Sequence, residues 1–407
     1  MHYIRLFSPP KVNKVSQRHQ VQLTFAVTTD LGDAFLCPAA PVRILLHAVV
    51  SPPSGHGTSS AVQVASVQWT SGMRIAKPIA TLPQQAVEAA RKGDEVSIRI
   101  AAAPGLSADG VASIFAASCA VSATADDKGL IMPVSVSLGP DLKGTDFSFR
   151  SISLNQDSES LNAIQIEEDI GDSIARHLWD AGVIAACSIT NGSLDTTNDQ
   201  TQPACLSAVR SLITHPGKLN ILELGCGVGV LGLGVTAACQ SLRGPDADSC
   251  TVVMTDLDEA QERAASNMAR FHKRYRANDE RKDNVSLLYE NLDWEEARHG
   301  RFGPLVGSRC WDLIILSDCI YNSDMLPLLV GTLSAIHQHN NESRSGTTGS
   351  GPVTNVFLVT KPRHHSEKIL FDLMDKEGWA MSQRHQEPLP SIGRELGFVE
   401  FYLFKKT

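Results

Sequence analysis

Up to about residue 155, short apolar runs alternate with turns. The runs are Val21–Thr28, Val42–Val50, Gln63–Thr70, Glu95–Ala101, Met132–Leu138 and Phe147–Leu154. Val96-Ser-Ile98-Arg-Ile100 and Val134-Ser-Val136-Ser-Leu138 place apolar side chains at every second position, the period of a strand with one buried face. Pro9-Pro10, Pro52-Pro53, Gly105 and Gly110 interrupt the runs. Residues 1–155 therefore read as an antiparallel β-rich domain, sandwich-like in pattern. They hold no carboxylate pair, metal-ligand spacing or glycine-rich phosphate loop, so their chemistry is silent.

A polar stretch, Gln156–Glu168, marks the switch to a second texture over residues 156–407. Ile166, Ile170, Ile174 and Leu178 recur every four residues, which predicts one helical face. Thr190–Thr201 reads as a solvated loop. From Lys218 strands and helices alternate. The expected strands are Asn220–Leu224, Thr251–Thr255, Val285–Tyr289, Trp311–Leu316, Asn355–Thr360 and a closing Val399–Leu403. Between them lie expected helices Val230–Gln240, Glu259–Phe271, Asp324–His337 and Ser366–Glu377. Such alternation predicts an α/β fold, a parallel sheet covered on both faces. Residues 338–352 are of low complexity and read as an insertion.

At 407 residues the chain has room for two or three domains, and 43% hydrophobic with 20% charged residues fits a globular protein. Net charge is -8, and it is unevenly spread. Residues 1–160 carry 13 basic and 12 acidic side chains, whereas the remainder carries 23 and 32. An acidic second half argues against nucleic acid as partner. Nine scattered cysteines with no C-x-x-C pair suggest neither a zinc module nor a disulfide framework, and favour a reducing compartment, cytoplasm or nucleus. No apolar run reaches the length of a membrane span, and the first residues lack a signal-peptide core. The thirteen histidines show no metal-binding spacing. His272-Lys-Arg-Tyr-Arg276 with Arg281-Lys282 is a basic run that reads as a solvated helix face.

Chemistry concentrates in Glu223-Leu-Gly225-Cys226-Gly227-Val-Gly229, between an expected strand and an expected helix. Alternate glycines let a backbone turn sharply and a flat ligand approach it, facing a helix N-terminus. A dinucleotide needs G-x-G-x-x-G. That spacing fails from Gly225 and is met only by Gly227, Gly229 and Gly232, later in the turn. Glu223 suits a cationic amino-acid moiety better than a diphosphate. Asp256, ending the second strand, can accept both hydroxyls of a ribose, in a nucleotide or a nucleoside. Asn291-Leu-Asp293-Trp294 follows the third strand, where Trp294 can cover an adenine face and Asp293 can read its polar edge. Asp318-Cys-Ile-Tyr321 follows the fourth, and Asp318 and Tyr321 bracket a turn able to orient an amine. Arg176-His-Leu-Trp179-Asp-Ala-Gly182 is expected to end the helix ahead of the sheet.

In this order, Trp179-Asp-Ala, Glu223-Leu-Gly-x-Gly-x-Gly, Thr255-Asp256, Leu292-Asp-Trp294 and Ser317-Asp-x-x-Tyr321 resemble the seven-strand S-adenosylmethionine-dependent methyltransferases of family 16, protein lysine methyltransferases with some histidine-modifying relatives. The resemblance covers about Ile166 to Lys406 and implies a Rossmann-like seven-stranded methyltransferase domain behind the β-rich one. It implies that Trp179, Gly225, Cys226, Gly227, Asp256, Trp294 and Ser317 line the cofactor, and that Asp318 and Tyr321 face the methyl acceptor. Ser317 stands where alanine is usual, and Cys226 where alanine or serine is common; both are small. The expected activity is methyl transfer to a lysine of a protein substrate, by a monomer with no membrane partner. The alternatives are a non-catalytic scaffold and a small-molecule or histidine N-methyltransferase.

Overall fold

A computed structural model describes residues 1–51, 59–119, 130–154, 163–171, 174–191, 203–276, 284–344, 353–392 and 397–407. The chain forms two units. The first comprises Met1–Ser158, Gln165–His177 and Leu389–Gly397, the second Glu159–Ile164, Leu178–Pro388 and Phe398–Thr407. Most of the 190–201 loop, the 345–352 end of the low-complexity stretch, and Arg281-Lys282 of the basic run lie outside the described residues.

In the first unit, alternation produces the expected strands. A six-stranded sheet runs in the order Ala163–Asp169, Phe147–Ser153, Val134–Leu138, Glu95–Ala102, Val42–Ser51, Ser60–Trp69. Two three-stranded sheets, one built on His2–Leu6 and one on Arg18–Gln22, take strands interleaved with it in sequence. The expected strand Val21–Thr28 is two strands, Arg18–Gln22 and Phe25–Thr29, and two helices, Gln84–Lys92 and Val111–Cys119, interrupt the β pattern. The expected helical face through Ile166 and Ile170 is corrected: Ala163–Asp169 is an edge strand, Ile174–Arg176 a single 3-10 turn, and at Asp180 a helix begins rather than ends. A four-residue repeat satisfies a period of two as well as one of 3.6. The strand is also anchored by charge. Glu168 accepts from Arg150 Nε at 2.6 Å, and the buried guanidinium donates further to the carbonyls of Met132, Pro133 and Ile4. Burial alone would raise the Glu168 carboxyl, but Arg150, His177 and Arg5 hold it below the usual range.

The second unit contains strands β1 (Leu219–Leu224), β2 (Cys250–Asp256), β3 (Val285–Asn291), β4 (Leu313–Ser317), β5 (Thr354–Thr360), β6 (Ala380–Pro388) and β7 (Phe398–Lys406). Its helices are α1 (Asp180–Asn191), α2 (Ala204–Thr214), α3 (Val230–Leu242), α4 (Asp258–Arg276), α5 (Leu326–Arg344) and α6 (Ile369–Lys376). The sheet order is 3-2-1-4-5-7-6. The first five strands are parallel, while β7 runs antiparallel to both β5 and β6. All six residues of β1 and all seven of β5 are buried, as strands covered on both faces must be. Strand β6 was not expected: Ala380–Pro388 is polar, and its side chains are exposed or half-buried because it is the sheet edge. Helix α5 starts two residues later than predicted and runs on to Arg344. Among the described residues, no helix is long and apolar enough to cross a membrane.

The order reverses at β1, which has β2 on one side and β4 on the other, so a crevice opens at the carboxyl ends of these strands. Helices α1 and α3 pack beside it. Every residue from Asp180 to Thr190 is buried, and a Cβ on Gly234 of α3 would stand 2.5 Å from the Ala186 Cβ of α1. Gly234→Ala is therefore expected to force the two helices apart and cost about 1–3 kcal/mol, the usual scale of overpacking. Thermal and urea unfolding check it; an unchanged midpoint would show that α1 and α3 are not in close register.

Candidate functional site

The turn after β1 is built from three glycines in the left-handed region, Gly225 (φ 67°), Gly227 (φ 53°) and Gly229 (φ 86°), the last forming the N-cap of α3. Other residues seldom adopt three such angles in five positions. Space is tight as well: a Cβ at Gly225 would lie 2.6 Å from Cys319 Sγ and 3.4 Å from the Trp294 ring. The turns after β1, β3 and β4 thus meet at one glycine. The loop is held from outside. Thr255 Oγ1 donates to the Glu223 carbonyl, Cys226 N–H to the Thr255 carbonyl, and the buried Asn267 side chain on α4 donates to the Val228 carbonyl.

Asp256 ends β2, as expected, and points back at this turn. Its Oδ2 accepts from Gly227 N–H and its Oδ1 from Leu257 N–H, both at 2.7 Å. A carboxylate has about four acceptor positions, so two remain for hydroxyl donors. Burial pushes the Asp256 carboxyl above its ordinary value, against the two backbone donors.

Glu223 lies deeper, fully buried on β1. Its Oε2 sits where a Cβ of Gly232 would fall, near the N-terminus of α3, and neither oxygen meets a well-aligned donor. Burial first, then the Asp256 charge, pushes this carboxyl well above its ordinary value, with the Gly232 N–H opposing. The folded chain therefore keeps a proton that the unfolded chain gives up from about pH 4.5, and stability falls as pH rises between the two values. Relative to wild type, Glu223→Gln should gain stability from pH 5 to pH 8. Melting curves at both pH values test this, and a constant difference would mean that Glu223 does not titrate abnormally.

At the opposite wall, Trp294 opens the short helix Trp294–Ala297, with Asp293 as N-cap accepting from Glu295 N–H at 2.9 Å. Trp294 packs partly against the core and leaves its ring beside Gly225. Asp293 is exposed, its side chain occupied by the cap. Ser317 ends β4, its Oγ 3.2 Å from where a Cβ of Gly182 would stand, so small residues here let α1 approach the sheet.

The turn after β4 is strained at Asp318, a non-glycine residue at φ 52°. Its carboxylate is committed to the fold. Oδ2 accepts from Ala181 N–H at 2.9 Å, at the start of α1, and Oδ1 from Lys361 N–H at 3.1 Å, just past β5. Arg363 Nη2 lies 3.5 Å from the same group. Asp318 thus caps a helix, but the one preceding the sheet rather than the one following it. Cys319 is buried, its Sγ against the carbonyls of Leu224 and Gly225. Tyr321 stands out from the turn, 56% exposed. Partial burial, then the neighbouring Cys319, Asp256 and Glu259, raise its phenol above the ordinary value, so it is neutral at physiological pH. Trp179, before α1, carries the Arg363 guanidinium over its ring.

The sequence pattern gives no role to Lys361, Arg363 or Asn267, and Asp180 enters it only within Trp179-Asp-Ala. Lys361-Pro-Arg363 directly follows an apolar strand on the carboxyl side of the sheet, a position that marks ligand-side residues. A cleft of about 760 Å³ elsewhere in this unit, lined by His299, His337, His339 and Lys406 among others, contains none of the site residues.

A glycine-rich cradle, an acceptor carboxylate at β2, an aromatic wall at β3 and a buried acid beneath the turn together fit a nucleoside with a cationic amino-acid tail. The sequence profile of the lysine methyltransferase family matches residues 158–377. A UPF0665 family protein of Schizosaccharomyces pombe (strain 972) is 25% identical over 239 residues, 59% of this chain and 55% of that protein, so the match spans about half of that relative's length. Similar solved structures include precorrin-6y C5,15-methyltransferase of Geobacter metallireducens, at 10% identity and TM-score 0.30, covering 52% of this chain and 92% of that one. Another is a SAM-dependent methyltransferase of Methanosarcina mazei, at 11% identity and TM-score 0.29, covering 46% and 92%. Because the family profile covers more than half of the sequence, this chain belongs to the lysine methyltransferase family, whose methyl donor is S-adenosylmethionine.

Proposed function

We propose that this protein methylates the side-chain amine of a lysine in a protein substrate, acting as a monomer in the cytoplasm or nucleus. The observation that carries the reading is the exposed Tyr321 phenol, two residues from a cysteine seated on the Gly225 carbonyl. An acceptor reaching from solvent meets this phenol at the rim of the donor cradle.

S-adenosylmethionine, when bound, supplies an already electrophilic methyl group. In this reading Gly225, Cys226 and Gly227 offer backbone to it, Asp256 accepts from its ribose hydroxyls, and Asp293 and Trp294 bound its base. Glu223, Trp179 and Ser317 lie toward the amino-acid end. The remaining work is alignment, with reacting atoms held ~3–3.5 Å apart. A lysine amine has a pKa of ~10.4 in water and must be neutral to attack; an apolar, dehydrated approach lowers that value. Tyr321 orients the amine by hydrogen bonding and cannot act as its base, since the phenol stays protonated. Water takes the proton. Asp318 fixes the turn through its carboxylate, which accepts from Ala181 N–H and Lys361 N–H.

The test is a cell extract incubated with the purified protein and isotopically labelled S-adenosylmethionine, followed by mass spectrometry. Labelled methyl on lysine side chains is expected. Label confined to histidine or to metabolites would transfer the activity to another acceptor class, and no label with intact donor binding would favour a non-catalytic role.

A further inference from the structure

The segment after β5 ties together three parts of the site that lie far apart in sequence. Lys361 Nζ donates to the fully buried Asp180 carboxylate at 2.8 Å, while Lys361 N–H and Ala181 N–H both reach Asp318. Arg363 completes the set. Its guanidinium lies 3.5 Å from Asp318 Oδ2, and its Cζ is 5.2 Å from the centroid of the Trp179 ring. The backbone beneath it is pinned, because the buried Glu367 side chain accepts from the N–H groups of both Arg363 and His364. Arg363 thus projects from a fixed base and is only 17% exposed in its side chain.

A planar guanidinium can lie on an indole face and reach a carboxylate at the same time, which a lysine ammonium does less well. Trp179 has its backbone fixed by the start of α1, and Arg363 covers one face of its ring. The other face is therefore directed by this contact. We propose that Arg363 is a positioning residue for the donor: clamped by Asp318, it sets the Trp179 indole and so couples the turn after β4 to cofactor affinity. The inference rests on the reading that Trp179 lines the donor pocket. A purely structural cluster would affect melting and leave affinity alone.

The experiment is a double-mutant cycle on the full chain, with Arg363→Ala, Trp179→Leu and the double variant, each titrated with S-adenosylhomocysteine by calorimetry. Arg363→Ala should weaken binding about five- to tenfold, and in the Trp179→Leu background, which has no ring, the same change should have little further effect. Trp179 emission, isolated by subtracting the Trp179→Leu spectrum, should shift when Arg363 is replaced. Arg363→Lys keeps a charge near Asp318. It should recover most of the melting temperature but not the affinity, and it carries the test if the alanine variant fails to fold. Wild-type binding with an Arg363→Lys variant that binds equally tightly would overturn the proposal and leave the donor site intact. Additive losses across the cycle would overturn it too, since Arg363 would then act without Trp179. A wild type that fails to bind would remove the donor site and this inference together.

Discussion

Asp256→Ala is expected to weaken S-adenosylhomocysteine binding by at least ~10- to 100-fold. Charge-assisted hydrogen bonds contribute ~1.5–3 kcal/mol each before water compensates, and the substitution removes both carboxylate oxygens at the end of β2. A second loss adds to the first. Asp256 Oδ2 accepts the Gly227 N–H, so the variant also releases one anchor of the left-handed turn. Asp256→Asn separates these effects, because it keeps one acceptor oxygen and nearly the same shape. An intermediate loss for asparagine fits a carboxylate that serves turn and ligand together. Titration calorimetry decides the matter: equal affinity in wild type and Asp256→Ala would take Asp256 out of the site.

That dual role was not legible from the sequence, although the position was. Ending a strand with Thr255-Asp256, two strands into an alternating pattern, places a carboxylate at the sheet's ligand edge on periodicity alone. One of the two backbone donors it accepts, Gly227 N–H, lies 29 positions away, and the parallel pairing of β1 with β2 brings the two together. The central strands β1 and β5 were readable because burial on both faces makes them continuous apolar runs. The edge strand β6 was not, since Ala380–Pro388 has one neighbour and carries polar side chains. Ile166 and Ile170 were misread because their spacing satisfies both periods, and the Arg150–Glu168 pair that supports the strand is non-local. Asp318 shows the same division. Its place after β4 could be inferred, but its partners at Ala181, Lys361 and Arg363 are set by tertiary packing between distant segments.

Tyr321→Ala is expected to lower the methyl-transfer rate by one to several orders of magnitude while S-adenosylhomocysteine affinity stays within a few-fold. The position supports a split between binding and turnover. Tyr321 lies beyond Cys319 on the turn after β4, whereas Gly225, Gly227, Asp256 and Trp294 lie at or just past the carboxyl ends of β1, β2 and β3. Misplacing a nucleophile by ~1 Å can cost ~100-fold in rate, and an interaction made only on the way to the transition state lowers turnover without loosening ground-state binding. Exposure makes the variant interpretable. A side chain 56% exposed contributes little to packing, so the melting temperature should hardly move, as for most surface substitutions. Tyr321→Phe narrows the cause further. If the phenol orients the amine, phenylalanine should be nearly as slow as alanine; if the ring merely walls the acceptor channel, phenylalanine should restore most of the rate. Single-turnover rates on the identified substrate, read beside cofactor titration and a melting curve, distinguish these outcomes. Normal turnover in Tyr321→Ala would remove the phenol from the mechanism.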